Sequence, residues 1–185
     1  MKRLCVLVLG VAVVLAGGLV APGSAVARPA ANQQAIDYVI ARALAQRGVP
    51  YTYGGGDVSG PTLGAEPDVA GVEPDPLVSI FGTTPAVREP RPRVAGFDAS
   101  GLIVYAFGGV GIKLPRSSGE QYKVGRKIPP SLALPGDLIF YGPEGTQSVA
   151  LFLGNGQMLE ATTPAVAVSP VRTNNMAPYL SRIIE

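Results

Sequence analysis

The chain contains no histidine and no tryptophan, and its one cysteine is Cys5. Each gap closes off chemistry. Without imidazole, neither a Cys–His nor a Ser–His pair can be assembled, because acyl transfer by those routes needs a nitrogen base beside the nucleophile. Beyond Cys5 there is no thiolate or imidazole to build a typical zinc site. No metal and no other cofactor is expected. Disulfides are excluded from everything that follows Cys5.

A surplus of either charge is also missing once the leader is set aside. Lys2 and Arg3 open the chain, an apolar run follows from Leu4 to Val20, and Ala25-Val26-Ala27 has the A-x-A form of a cleavage site. This pattern predicts a signal peptide over 1–27, cut after Ala27, and a secreted chain over 28–185 with no stable membrane anchor after cleavage. An uncleaved anchor is the alternative, but the run sits at the short edge of what spans a bilayer. Removing Lys2 and Arg3 from the 15 basic residues leaves 13, equal to the 13 acidic ones. A net charge near zero gives no support to nucleic-acid binding, which needs a phosphate-neutralising surface. Stability must come from a core, which a single domain of this size can supply.

What is present reads as helices followed by strands. Ile36, Val39, Ile40, Ala43 and Leu44 fall on one face of a helix, with Asn32 as its expected N-cap and Gly48 and Pro50 beyond its end. Asp98 is positioned to cap a second helix through Leu102, Ile103, Tyr105 and Ala106. Ser117 and Glu120 form a capping-box pattern opening a short third helix to about Lys123. Five short β-branched or alternating segments come next: 137–141, 148–153, 157–161, 165–171 and 179–184. Turns such as Gly154-Asn155-Gly156 separate them. Helices first and strands after predict an α+β fold with an antiparallel sheet.

Between Ser59 and Arg93 the composition shifts. Seven prolines occur there, with Glu66, Asp68, Glu73 and Asp75 early and Arg88, Arg91 and Arg93 late. The stretch reads as a Pro-rich, irregular insertion at about 59–94, whose one apolar run is 77–81. The four carboxylates lack EF-hand spacing, so a calcium loop is the weaker alternative.

Six segments stand in a telling order: Val49-Pro50-Tyr51-Thr52-Tyr53-Gly54-Gly55, then Gly96-Phe97-Asp98-Ala99-Ser100-Gly101-Leu102, then Leu114-Pro115-Arg116-Ser117-Ser118, then Pro135-Gly136-Asp137-Leu138-Ile139-Phe140, then Ser148-Val149-Ala150-Leu151-Phe152-Leu153-Gly154, then Gln157-Met158-Leu159-Glu160-Ala161. The series resembles the NlpC family of papain-like bacterial cell-wall peptidases, and is most similar to a catalytically degenerate mycobacterial member. The resemblance implies a papain-like NlpC-type domain, with N-terminal helices packed on a five- to six-stranded antiparallel sheet. Active members carry Asp-Cys-Ser-Gly at the helix start, a histidine heading a strand, and a polar residue near the end of the next strand that orients it. Here those positions hold Ala99, Ser148 and Glu160, so the nucleophile and the base are both absent.

The resemblance also implies a peptide pocket built from Tyr51, Asp98, Ser100 and Ser118, with Arg116 nearby. Asp98 could accept from an ammonium and Arg116 could take a carboxylate, which suits a zwitterionic peptide. Each residue also has a plain reading. Tyr51 could be a core aromatic, Arg116 could cover the third helix, Ser118 could serve the helix start, and Asp98 could be only a cap. Glu160 without a histidine partner could be a solvated strand residue or, if buried, an unpaired carboxylate with a raised pKa.

The expected function is a secreted, non-catalytic peptidoglycan-binding domain of the cell wall or periplasmic space, recognising stem peptides without cleaving them. The alternative is a protein-interaction module that regulates an active cell-wall hydrolase through the insertion. A hydrolase using Asp98 and Glu160 as paired carboxylates is the third possibility, and it requires them to share a proton at close range.

Overall fold

The computed structural model describes residues 29–64 and 94–185. The expected leader and residues 65–93, which hold the insertion's four early carboxylates and its apolar run, lie outside the described residues.

The first helix, α1, spans Ala30–Leu44 and buries Ile36, Val39 and Ala43, the stripe its spacing dictates. It starts earlier than Asn32. Pro29 occupies the cap position with an extended ψ of 141°, and Ala30 and Ala31 enter the helix at once. Pro29 is pre-set for this, because its fixed φ and missing N–H cost nothing at a helix start. Asn32 therefore lies inside the first turn, and its amide reaches the carbonyl of Glu185 instead.

Helix α2 spans Ala99–Gly108, with the Asp98 carboxylate accepting from the Gly101 N–H at 2.7 Å as expected. It is apolar nearly all round, with Leu102, Ile103, Ala106 and Phe107 buried. Such a helix must be covered on most sides. It is packed between α1 and the sheet. Helix α3 spans Ser118–Tyr122, and Ser117 Oγ accepts from the Glu120 N–H at 3.3 Å. Glu120 pairs with Lys123, also at 3.3 Å.

Six strands follow: β1 (Arg126–Ile128), β2 (Leu138–Tyr141), β3 (Ser148–Gly154), β4 (Gln157–Ala161), β5 (Val166–Pro170) and β6 (Leu180–Arg182). They form one antiparallel sheet in the order β1-β6-β2-β3-β4-β5. The β3–β4 turn needs left-handed backbone at three successive positions, with φ of 89°, 50° and 68° at Gly154, Asn155 and Gly156. That is why a Gly-Asn-Gly triplet sits there. Strand β1 was not expected. Its three residues carry two charges, and only pairing with β6 makes it a strand.

Leu138, Phe140, Val149, Leu151 and Leu159 join Leu102, Ile103 and Phe107 in one core. Ile139, Tyr141, Ala150 and Met158 form a second, smaller cluster with Ile128 and Leu180. This alternation is the period of two that a sheet imposes.

The segment before the insertion is tied down at both ends. Phe97 N–H donates to Pro50 O at 3.1 Å and Thr52 N–H to Phe97 O at 3.0 Å. A Cβ at residue 96 would lie 2.1 Å from Pro50 O, so only glycine allows this approach. Thr62 and Gly96 exchange both backbone hydrogen bonds, at 3.1 and 2.9 Å, and Thr52 Oγ1 donates to Val94 O at 2.7 Å. Residues 59–64, expected as the start of irregular chain, thus belong to an ordered neck. The reason is that Thr62 finds a backbone partner across it.

Candidate functional site

A cleft of about 440 Å³ opens at the start of α2. The expected residues Tyr51, Asp98, Ser100, Arg116 and Ser118 line it together with Ala99, and so do Tyr53, Gly54, Ser117, Thr146 and Gln147. Four separate segments meet here, and the start of α2 fixes one wall. Gly101 lies so close to the 50s segment that a Cβ would sit 2.1 Å from Gly55 O. Gln121, fully buried on α3, donates to Ser100 O at 3.1 Å and to Pro115 O at 2.8 Å. It staples the turn carrying Arg116 to the start of α2.

The two charged groups of the cleft are paired with each other. Arg116 makes a fork to Asp98, with Nη1 to Oδ1 and Nη2 to Oδ2 both at 2.9 Å. The remaining N–H of each nitrogen goes to Ser100 Oγ at 2.9 Å and Gly55 O at 2.8 Å. Asp98 Oδ1 also receives the Gly101 N–H and the Ser100 hydroxyl. Arg116 therefore does more than cover α3, and the zwitterion scheme, which left it free for a ligand carboxylate, is corrected by these bonds. A fork of this kind is a strong form of ion pair.

Tyr51 packs against the core and also lines the cleft. Burial first, and then the nearby Asp98 charge, raise its phenol above the usual value of 10.0. It stays protonated and can donate. Ser118 is buried at the first residue of α3 and also faces the cleft.

The other two positions lie elsewhere. Ser148 heads β3 directly after Thr146 and Gln147 but is not among the lining residues. Glu160, on β4, is only 4% exposed and is neither solvated nor unpaired. Arg172 reaches it with both terminal nitrogens, at 2.5 and 2.7 Å, and Ser169 Oγ donates at 2.6 Å. Burial pushes its carboxyl up, but the hydrogen bonds from Arg172 and Ser169 and the Arg172 charge outweigh this, leaving it below 4.5. The expectation of a raised pKa fails because a partner 12 residues away in sequence folds back beside it. The paired-carboxylate scheme fails with it, since Asp98 and Glu160 each sit in their own arginine fork.

Several contributors went unnoticed in the sequence. Arg172 and Ser169 carry no local signal, because their roles arise from the β4–β5 register, in which Met158 faces Ser169. Thr146 and Gln147 could have been found, as they immediately precede the strand whose head was singled out.

The Glu160 arrangement makes a testable statement about pH. A carboxyl held below its unfolded value stabilises the fold above that value, and the contribution is lost as pH falls through the folded value. Arg172→Leu leaves a buried carboxylate unpaired and should cost about 3 kcal/mol near neutrality. The gap to the parent should narrow below about pH 4.5. Urea midpoints across pH 3 to 8 check both parts. A gap that does not change with pH would show that packing, not charge, dominates.

Comparison with known proteins places this geometry. The NlpC/P60 family model matches residues 48–185. Peptidoglycan endopeptidase RipB of Mycobacterium tuberculosis is 49% identical over 160 residues, covering 85% of this chain and 57% of RipB. The chain thus spans little more than half of RipB's length. RipD of M. tuberculosis, whose structure is described as a non-catalytic NlpC/p60 domain protein adapted to peptidoglycan binding, shares 55% identity with a TM-score of 0.65, covering 82% of this chain and 98% of that one. The resuscitation promoting factor interacting protein RipA, solved with a cysteine mutated, shares 47% identity with a TM-score of 0.68, covering 83% and 64%. RipA has also been solved with a histidine mutated 49 residues after that cysteine and with a glutamate mutated 12 residues further on. Ala99, Ser148 and Glu160 stand at the same two intervals. With its α+β architecture, its six-stranded antiparallel sheet and a match over most of its length, this chain belongs to the NlpC/P60 family.

Proposed function

We propose that this protein is a secreted, non-catalytic peptidoglycan-binding domain that holds stem peptides in the cleft beside Ala99 and does not cut them. The observation that carries the reading is Ala99 itself. A side chain without a nucleophile stands at the first residue of α2, in an open cleft, at the interval where RipA has a cysteine. Ser148 stands at the histidine interval, and a neutral hydroxyl is no base at physiological pH. The cleft keeps hydrogen-bonding side chains on three walls, which is what peptide binding needs and peptide cleavage does not. The leader pattern supports an extracytoplasmic place for it, at the cell wall.

Purified protein is expected to co-sediment with insoluble cell wall and to leave muropeptides intact by mass spectrometry. Ala99→Trp, which fills the cleft from a half-exposed position, should lower co-sedimentation at least about tenfold, the loss of roughly 1.4 kcal/mol, with an unchanged melting temperature. Muropeptide cleavage by the parent, or wall binding indifferent to Ala99→Trp, would reject the proposal.

A further inference from the structure

We infer that the cleft selects an uncharged segment of its peptide ligand, preferring a carboxamide to a free carboxylate, and that the Asp98–Arg116 fork sets this preference. The inference rests on the peptide-binding reading. It goes beyond that reading because it names which chemical form of the peptide is held.

The argument is one of charge accounting. Among the described lining residues only Asp98 and Arg116 are charged, and they neutralise each other. All four terminal N–H groups of Arg116 are engaged within the protein. The start of α2 would ordinarily attract an anion. Here the Asp98 carboxylate already caps it through the Gly101 N–H. An entering carboxylate would thus lose water and meet no uncommitted cation, while the Asp98 carboxylate would stand near it. A charge desolvated without a partner is costly. What remains for the ligand is neutral: the hydroxyls of Tyr51, Ser117 and Ser118, the Thr146 hydroxyl oxygen, whose proton goes to Pro143 O at 2.7 Å, and the amide nitrogen of Gln147, whose Oε1 accepts from Asn175 at 2.6 Å. The free hydroxyls and the Gln147 N–H groups donate to carbonyls, the hydroxyl oxygens accept from N–H groups, and a carboxamide offers both.

Two synthetic γ-linked D-glutamyl tetrapeptides test this, one with the α-carboxyl free and one with it as the carboxamide. Calorimetric titration of the full chain should give at least about tenfold tighter binding of the carboxamide, with affinity nearly unchanged between low and high salt. Asp98→Asn keeps a competent helix cap but leaves the Arg116 charge unbalanced. In that variant the preference should shrink or reverse, and binding of the acid should weaken with salt. Equal or tighter binding of the acid by the parent overturns the inference and leaves peptide binding standing. Failure to bind either peptide, together with no co-sedimentation on cell wall, overturns both.

Discussion

Ala99→Cys combined with Ser148→His is expected to cleave muropeptides, which the parent, on the proposed reading, should leave whole. The physical case begins at the head of α2. A thiol at residue 99 would sit at the positive end of a helix, where its pKa falls and the thiolate becomes accessible. Asp98, Ser100 and the 50s segment already hold the cleft open around it. The third position needs no change. Glu160 is buried and kept ionised by Arg172, and the ionised form is the one that orients an imidazole and stabilises its cation. The β3–β4 register, with Leu151 opposite Leu159, brings Glu160 within one pleat of residue 148. Since the loss of a nucleophile or base costs a working protease about a millionfold in turnover, even a few per cent of recovery stands far above background.

The two single variants separate the steps. Ala99→Cys alone should show a thiol that alkylates at lower pH than free cysteine, yet turn over nothing. Ser148→His alone should be inert. If the double variant binds stem peptide and cuts none, residue 148 faces away from residue 99. That outcome has a structural motive, because Ser148 heads β3 without lining the cleft. It would mean that the cleft differs in shape, and not only in the residues at positions 99 and 148, from one that cuts.

Local order in this chain was legible because local forces set it. The stripe of Ile36, Val39 and Ala43, the Asp98 and Ser117 caps, and the Gly154-Asn155-Gly156 turn are all decided within a few residues, and each is where the sequence puts it. What escaped was decided across distance. Strand β1 exists because β6 returns beside it. Among the described residues, arginine forks join Asp98 to Arg116, Asp137 to Arg182 and Glu160 to Arg172. Nothing in the spacing of those residues names the partner. The candidate site divides in the same way. The cleft's members could be listed from ordered segments, but that Arg116 is committed inward, and that Glu160 is paired, follow only from the fold. The first pairs the cleft's two charges with each other, and the second leaves Glu160, outside the cleft, with a partner of its own.

The largest loss of stability is expected from Arg182→Leu. Arg182, on β6, and Asp137, just before β2, form a fork at 2.8 and 2.7 Å, with side chains only 9% and 0% exposed. The pair bridges β6 to the entrance of β2, and those strands share a single backbone register position, Leu138 with Ser181. Asp137 Oδ2 also accepts from the Leu134 N–H at 2.8 Å, and Arg182 donates to Leu132 O at 3.0 Å. The fork therefore fixes the turn leading into β2 as well as the β6–β2 junction of the sheet. Leucine would fill part of the space and leave the buried Asp137 carboxyl without the Arg182 guanidinium. Removing one partner of such a pair costs about 3–5 kcal/mol, whereas replacing both with apolar groups can be close to neutral. Urea denaturation of Arg182→Leu should thus lose a large share of the stability of a domain this size, which is typically about 5–15 kcal/mol. Asp137→Leu combined with Arg182→Leu should recover part of it. If the double variant is no better than the single one, the hydrogen bonds to Leu132 and Leu134, and not the desolvated charge, are what hold the β6–β2 junction together.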